Sequence, residues 1–392
     1  MVQARIGRKW RMPGRLRSAS EQFIAGNRVQ LLTHGEQIFD LMLEAINSAQ
    51  SSIWFEMYWF AADHIGLKFF NALSAACARG VEVRLIYDSL GSFGTPRSHF
   101  EQLRSAGARV VEYNPLSPLT RRFGWHISRR DHRKLLLKDQ RLAFVGGLNI
   151  ADQWLDASNG APGWRDDVLE VNGPVVRALA EAFFDSWLEA GGVATDLTRT
   201  VGETEAALGD EIRVAVLAHA GYLGKRQAVH AYLARLRAAQ HEVFIANAYF
   251  LPNGKIRRAL VSAARRGVDV RIILPGLSDV PLIRLASRGI WKPLLAAGVR
   301  IFEWLPTVLH AKTAIVDRRW VTTGSFNLDY ISIANNRELN LSVLDEDFAE
   351  RARRVFLHDL TQCHEISLAE HQARPWLARV LERLLYVFRA WL

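Results

Sequence analysis

The stretch "HRKLLLKDQRLAFVGGLN" sets His132 and Lys134 two apart, then Asp139, Gly146 and Asn149. "HAKTAIVDRRWVTTGSFN" repeats that spacing with His310, Lys312, Asp317, Gly324 and Asn327. An imidazole serves as nucleophile or as acid and base near neutral pH, while an ammonium and a carboxamide N–H steady anionic oxygens. One such set suits a phosphate group, and two would surround a single phosphorus. A lone HxK is common, and a histidine on a strand is more often structural. The specificity lies in the recurrence of HxKx4Dx6GxxN.

The elements that must position these groups are legible around them. "KLLLK" and "KTAIV" are short apolar runs ending in "DQR" and "DRR", so each copy is expected to be a β-hairpin. On a strand, residues i and i+2 face one way, which sets His132 beside Lys134 and His310 beside Lys312. Asp139 and Asp317 lie at an odd offset beside the turn. They are expected to brace it by Asx-type bonds to backbone, a direct catalytic part staying open. Gly146 and Gly147, or Gly324 and Ser325, permit close backbone approach before Asn149 or Asn327 offers its amide at the mouth of the site.

The duplication extends well beyond the motifs. "AINSAQSSIWFEMYWF" is echoed by "ARLRAAQHEVFIANAYF", "AACARGVEVRLIYD" by "SAARRGVDVRIILP", and "LRSAGARVVEYNP" by "LLAAGVRIFEWLP", in the same order. Each pair reads as a helix closing before a strand, which implies α/β layers. The copies are offset by 191 residues at Gly107 and Gly298 but by 178 at the histidines, so the first carries 13 extra residues. That insert falls within "LSPLTRRFGWHISRRD", where Arg121, Arg122, Arg129 and Arg130 interleave with Phe123 and Trp125.

The chain of 392 residues, 49% hydrophobic and 23% charged, has globular composition and length for two domains. Its two cysteines form neither a disulfide framework nor a zinc cluster. A formal net charge of +10 favours a polyanionic partner, nucleic acid or an anionic membrane surface. The basic start "MVQARIGRKWRMPGRLR" leads into no apolar run of signal-peptide length, and no uncharged apolar stretch long enough to cross a bilayer follows.

Both motifs resemble the HKD motif of the phospholipase D superfamily. "VGGLNIADQW", "GWRDDVLEVNGPVV" and "TGSFNLDYISIANNRELNLSV" are similar to stretches of bacterial cardiolipin synthases, closest to the shorter B kind. The resemblance implies two tandem, pseudo-symmetric α/β domains with one shared active site at their interface. The boundaries expected are a basic segment 1–19, a first domain 20–197, a linker 198–211, a second domain 212–365 and a C-terminal amphipathic helix 366–392. Aligning "RDDVLEVN" on "RELNLSVL" pairs Asp166 with Glu338, carboxylates that in the family orient the histidines.

By the same resemblance no cofactor and no metal are expected, His132 is the nucleophile and His310 the acid and base. The substrate implied is phosphatidylglycerol, used as donor and acceptor to give cardiolipin and glycerol. A hydrolase or transphosphatidylase with another alcohol, and a nuclease of the same superfamily, are the alternatives; lipid is preferred to nucleic acid. In "RPWLARVLERLLYVFRAWL", Trp376, Val380, Leu384, Val387, Phe388 and Trp391 share one apolar helical face, with Arg379, Glu382, Arg383 and Arg389 opposite. Such a helix is expected to hold the enzyme peripherally on the cytosolic side of the bacterial inner membrane, with the basic aromatic insert forming a rim.

Overall fold

The computed structural model describes residues 21–117, 128–158, 160–193, 211–220 and 226–388. The basic segment 1–19, the expected linker apart from its last residue, and Arg121, Arg122, Phe123, Trp125 and Trp391 lie outside the described residues.

The first half runs β1 (Ile24–Leu32), α1 (Gly35–Asn47), β2 (Ser52–Met57), α2 (His64–Ala78), β3 (Glu82–Asp88), α3 (Arg97–Ser105), β4 (Arg109–Tyr113), β5 (Lys134–Lys138), β6 (Leu142–Gly146), β7 (Val168–Asn172) and α4 (Val175–Ala190). The second half repeats the scheme with β8 (Ile212–Ala220), α5 (Gln227–Ala238), β9 (Glu242–Asn247), α6 (Gly254–Arg265), β10 (Asp269–Leu277), α7 (Pro281–Arg288), α8 (Trp291–Leu295), β11 (Arg300–Val308), β12 (Lys312–Val316), β13 (Trp320–Gly324), α9 (Tyr330–Ala334), β14 (Arg337–Leu344) and α10 (Glu346–Leu360). Then come β15 (Cys363–Ile366), α11 (Leu368–Ala373) and α12 (Trp376–Val387).

At the seam β1 pairs antiparallel with β8, through Ile24 opposite Val214 and Asn27 opposite Ile212. Outward from it the strand order is β7, β6, β5, β2, β3, β4 on one side and β14, β13, β12, β9, β10, β11, β15 on the other. The chain is thus two like α/β halves, as the duplication implies. The parallel pairs β2–β3–β4 and β9–β10–β11 require helical crossovers, which is why the repeated segments read as helix, glycine, strand.

The central strands look apolar throughout because both their faces are covered. Along β5, Leu135 and Leu137 enter a core shared by the two halves, whereas Leu136 enters the core under α1 and α2. On β12, Ile315 joins the shared core and Ala314 and Val316 the core under α5 and α6. The shared core takes Phe183 and Trp187 from α4 and Phe348 and Phe356 from α10. Burying one large side chain of this kind contributes roughly 1.5–3 kcal/mol, so the halves are held together by packing before any polar contact is counted.

Both hairpins turn through residues in the left-handed region: Asp139 and Gln140 at φ 50° and 51°, Asp317 and Arg318 at 52° and 52°. Non-glycine residues there cost about 1–2 kcal/mol each. The aspartates offset that cost from outside the turn. Asp139 accepts from the backbone N–H groups of Gln50, Ser51 and Ser52 at 2.7–3.1 Å, and Asp317 from those of Gln240, His241 and Glu242 at 2.8–3.2 Å. Each carboxylate therefore anchors the loop entering β2 or β9, a correction to the expected bonds within the turn. Asp139→Ala and Asp317→Ala are expected to destabilise folding by about 2 kcal/mol each while leaving turnover per folded molecule unchanged. Urea titration beside an activity assay checks this, and a selective loss of turnover would contradict it.

The C-terminus departs from the single helix expected over 366–392. Ile366 is buried at the end of β15, which pairs with β11, and Ser367 caps α11 by accepting from Glu370 N–H. Pro375 then opens α12. Its fixed φ and missing N–H are tolerated at a helix start.

Candidate active site

The two histidines sit two residues before their hairpin strands, where each leading segment leaves its own half and pairs with the other. His132 N–H donates to Arg337 O at 2.9 Å and Arg337 N–H to Arg130 O at 2.9 Å; His310 N–H donates to Arg165 O at 2.7 Å and Arg165 N–H to Val308 O at 2.9 Å. β5 and β12 begin only at Lys134 and Lys312. Strand parity therefore does not extend to the histidines; these cross-half bridges position them.

The side chains cross in the same sense. His132 Nδ1 donates to Glu338 of the second half at 3.0 and 3.1 Å, and His310 Nδ1 donates to Asp166 of the first half at 2.6 Å. An ionised carboxylate only accepts, so His132 carries its proton on Nδ1. His310 Nδ1 lies between Asp166 at 2.6 Å and Lys312 Nζ at 3.0 Å, and the shorter contact to the carboxylate assigns its proton to Nδ1 as well, which leaves Nε2 of both rings for chemistry. Burial alone would raise both carboxylates. The facing donors outweigh it: His132 and Lys134 hold Glu338 low, Lys312 and His310 hold Asp166 low.

Burial pushes His132 down to about 4, Glu338 opposing and Lys134 adding to the drop; burial and then Lys312 lower His310. Lys134 falls to about 7, chiefly by burial, and Lys312 falls for the same reason. Lys312 also depresses His132 and Lys134, while Asp166 lifts Lys134. The charges of the two halves act on one common site.

Each lysine ammonium donates to the carbonyl of its own histidine, Lys134 to His132 at 2.8 Å and Lys312 to His310. Asn149 Oδ1 accepts from Trp59 N–H at 3.2 Å, and the side chain of Asn327, buried, makes no hydrogen bond to a described residue. Both amide NH2 groups are thus without an acceptor among the described residues. Tyr58 packs edge-on to His132 at 4.9 Å between ring centres and under Lys134 Nζ at 5.1 Å; Tyr249 stands 6.2 Å from His310 and donates to Asp279 at 2.5 Å. Among the described residues no group of three or more His, Cys, Asp or Glu side chains is placed to hold a metal ion.

A family model described as cardiolipin synthase, PLD-like domain, matches residues 42–161 and 232–360, more than half of the chain. The chain is 35% identical over 355 residues to a cardiolipin synthase of Geobacillus sp. (strain WCH70), covering 90% of this chain and 70% of that protein. It is 33% identical over 343 residues to cardiolipin synthase B of Shigella flexneri, covering 84% and 79%. The chain belongs to the cardiolipin synthase, PLD-like domain family. In fold it matches the crystal structure of phosphatidylserine synthase from Haemophilus influenzae Rd KW20, with TM-score 0.73 over 95% of this chain and 97% of that one at 12% identity.

In this member of the cardiolipin synthase family the two carboxylates are held differently. Glu338 accepts from the hydroxyls of Ser325 at 2.5 Å and Ser332 at 2.7 Å, besides Asn336 at 3.4 Å. Asp166 accepts from Trp154 Nε1 at 3.2 Å and Asp167 N–H at 2.9 Å. Where the second half has Ser325, the first has Gly147, and a Cβ there would lie 2.3 Å from Asp166 Oδ1. The shorter acid and the missing side chain belong together. Trp154 and Trp164 further wall His310, at 5.5 and 6.0 Å between ring centres.

Several expected members of the site are elsewhere. Asp139 and Asp317 spend their carboxylates on backbone N–H groups at the far end of each hairpin, and so leave the catalytic set. Arg130 is buried, 3.6 Å from Asp88 and donating to Asn114 O, and Arg129 pairs with Glu189 at 2.8 Å. Arg130 thus forms no open rim, whereas Arg129, paired with Glu189, keeps about a third of its side chain exposed. Tyr58, Tyr249, Trp154, Trp164 and Ser332 were not singled out from sequence. The tyrosines carried a usable signal, since "EMYWF" and "NAYF" place them at the 191-residue repeat offset.

Proposed function

We propose that this enzyme transfers a phosphatidyl group from one phosphatidylglycerol to another, releasing glycerol and forming cardiolipin. The observation that carries the reading is the pair of crossed histidine–carboxylate contacts, which leaves two Nε2 atoms to act on one phosphodiester. His132, neutral above about 4, attacks phosphorus through Nε2. The P–O bond to glycerol breaks as His310 passes its proton to the departing oxygen. The anionic phosphodiester favours the imidazolium of His310, which Asp166 steadies.

The hydroxyl of a second phosphatidylglycerol then gives its proton to His310 and attacks phosphorus, and the P–N bond to His132 breaks. Lys134, Lys312, Asn149 and Asn327 meet the charge that grows on the phosphoryl oxygens. One phosphodiester is exchanged for another, so no external energy source is required. A water-poor site disfavours hydrolysis to phosphatidic acid.

We further propose peripheral attachment to the cytosolic face of the bacterial inner membrane through α12. Trp376 is 65% exposed and Val387 66%, and Leu377, Val380, Leu381, Leu384 and Phe388 are exposed with them. No helix among the described residues is long and apolar enough to cross a membrane. Incubation with labelled phosphatidylglycerol is expected to yield cardiolipin and glycerol in equal amounts. Liposome flotation of the same protein is expected to weaken in Trp376→Ser/Val387→Ser. Salt-sensitive DNA cleavage without lipid turnover would favour the nuclease, and phosphatidic acid as main product the hydrolase.

A further inference from the structure

At the outer edge of the second half, α7, α8, α11 and α12 surround a surface cavity lined by Arg288, Lys292, His371, Arg374, Arg379 and Arg383, with Glu382 as its one acid. Glu382 is neutralised by Arg374, which donates to it at 2.5 Å. Lys292, Arg379 and Arg383 are exposed, and their side chains make no hydrogen bond or ion pair among the described residues. Three cations therefore converge on this cavity with no anion among the described residues paired to them.

His371 makes the cavity more than a basic patch. It is only 6% exposed, and Arg374 Nη2 lies 3.0 Å from its Nε2. A guanidinium only donates, so Nε2 accepts and the ring proton resides on Nδ1. That buried Nδ1 has no partner, nor has Arg288 Nε. Both residues line the cavity, so an acceptor entering it would offer a partner to donors that the described residues leave unmade.

We propose that this cavity binds the phosphate of an anionic phospholipid, as a docking site separate from the catalytic centre. The helix itself identifies the lipid as source. On α12 at 100° per residue, Arg379 and Arg383 lie between the buried Glu382 and the exposed apolar row Trp376, Val380 and Val387. An apolar face seated among acyl chains holds flanking arginines at headgroup depth. The docking site rests on the membrane reading of α12 and adds a lipid-specific contact to it.

The test is flotation with vesicles of phosphatidylcholine, with or without phosphatidylglycerol, in a His132→Ala/His310→Ala background that stops turnover. Lys292→Glu/Arg383→Glu is expected to weaken binding to the anionic vesicles about 30-fold and to leave binding to phosphatidylcholine unchanged. His371→Phe, which removes the donor and keeps the ring, is expected to weaken anionic binding about fivefold. Arg141→Glu/Arg237→Glu, equal in charge but distant, serves as control; an equal loss there would reduce the site to general electrostatics and overturn it. Trp376→Ser/Val387→Ser without effect, beside a large loss in Lys292→Glu/Arg383→Glu, would reject the helix reading and keep the anion site. Release of protein from anionic vesicles by millimolar inorganic phosphate would assign the cavity to free phosphate and overturn the lipid assignment.

Discussion

Alanine at His132 or at His310 is expected to lower phosphatidylglycerol turnover by on the order of 10⁴-fold or more, and the double variant to be little worse than either single one. Each imidazole is useless without the other, because one forms the bond to phosphorus and the other supplies and removes the proton. Quenched-flow product analysis reads the rates. A donor with an acidic leaving group separates the roles, since it needs no proton: His310→Ala should then accumulate an acid-labile, base-stable phosphoryl adduct and His132→Ala none. The adduct appearing only in His132→Ala would exchange the assignments, and retained turnover in either single variant would contradict the two-histidine scheme.

Glu338→Gln and Asp166→Asn are each expected to reduce turnover by about 10²- to 10⁴-fold, although neither side chain touches phosphorus. The carboxylate holds Nδ1–H and thereby keeps Nε2 free; a neutral amide no longer balances the imidazolium. The pH profile distinguishes this role from simple loss of fold. In the free wild-type enzyme, activity should fall below about 4 as His132 gains a proton, and fall toward alkali as His310, held below the usual imidazole range by burial and Lys312, loses the proton it must donate. Glu338 raises His132, so Glu338→Gln should move the acid limb of kcat/KM further toward acid. A flat wild-type profile from pH 5 to 9, or an acid limb moving toward base in the variant, would contradict the assigned charges.

The asymmetry of the two carboxylates gives these variants unequal surroundings. Glu338 keeps the hydroxyls of Ser325 and Ser332, whereas Asp166 relies on Trp154 and one backbone N–H. The 2.6 Å contact from His310 to Asp166 is the shorter of the two pairs and fits the imidazole that must carry charge during the reaction. The indole walls of Trp154 and Trp164 beside His310 are the apolar surface that the proposed transfer would use to favour an alcohol over water.

Much of the site was legible because it is local. Hairpin periodicity, turn residues and a repeated motif lie within about 18 consecutive residues, and local spacing follows directly from backbone geometry. The duplication then implied two halves and one site, and aligning the copies ranked Asp166 with Glu338. Arg130 shows the limit. In sequence it is one basic residue among several in an insert, and only the fold brings Asp88 close enough to draw it inside.

The same boundary separates the remaining features. By itself the sequence marked out the groups proposed to act: two imidazoles, two ammonium groups and two amides through the repeated spacing, and two carboxylates through the family resemblance, with the hairpin strands that begin at the two lysines. Tertiary structure decided that each carboxylate serves the histidine of the opposite half, because the segments ahead of β5 and β12 hydrogen-bond across the seam to Arg337 and Arg165. It also decided that α12 turns Glu382 inward and leaves its apolar row uncovered. An amphipathic pattern fixes two faces of a helix but not which of them meets the protein, since that depends on the charges and shape of the surface it lands on.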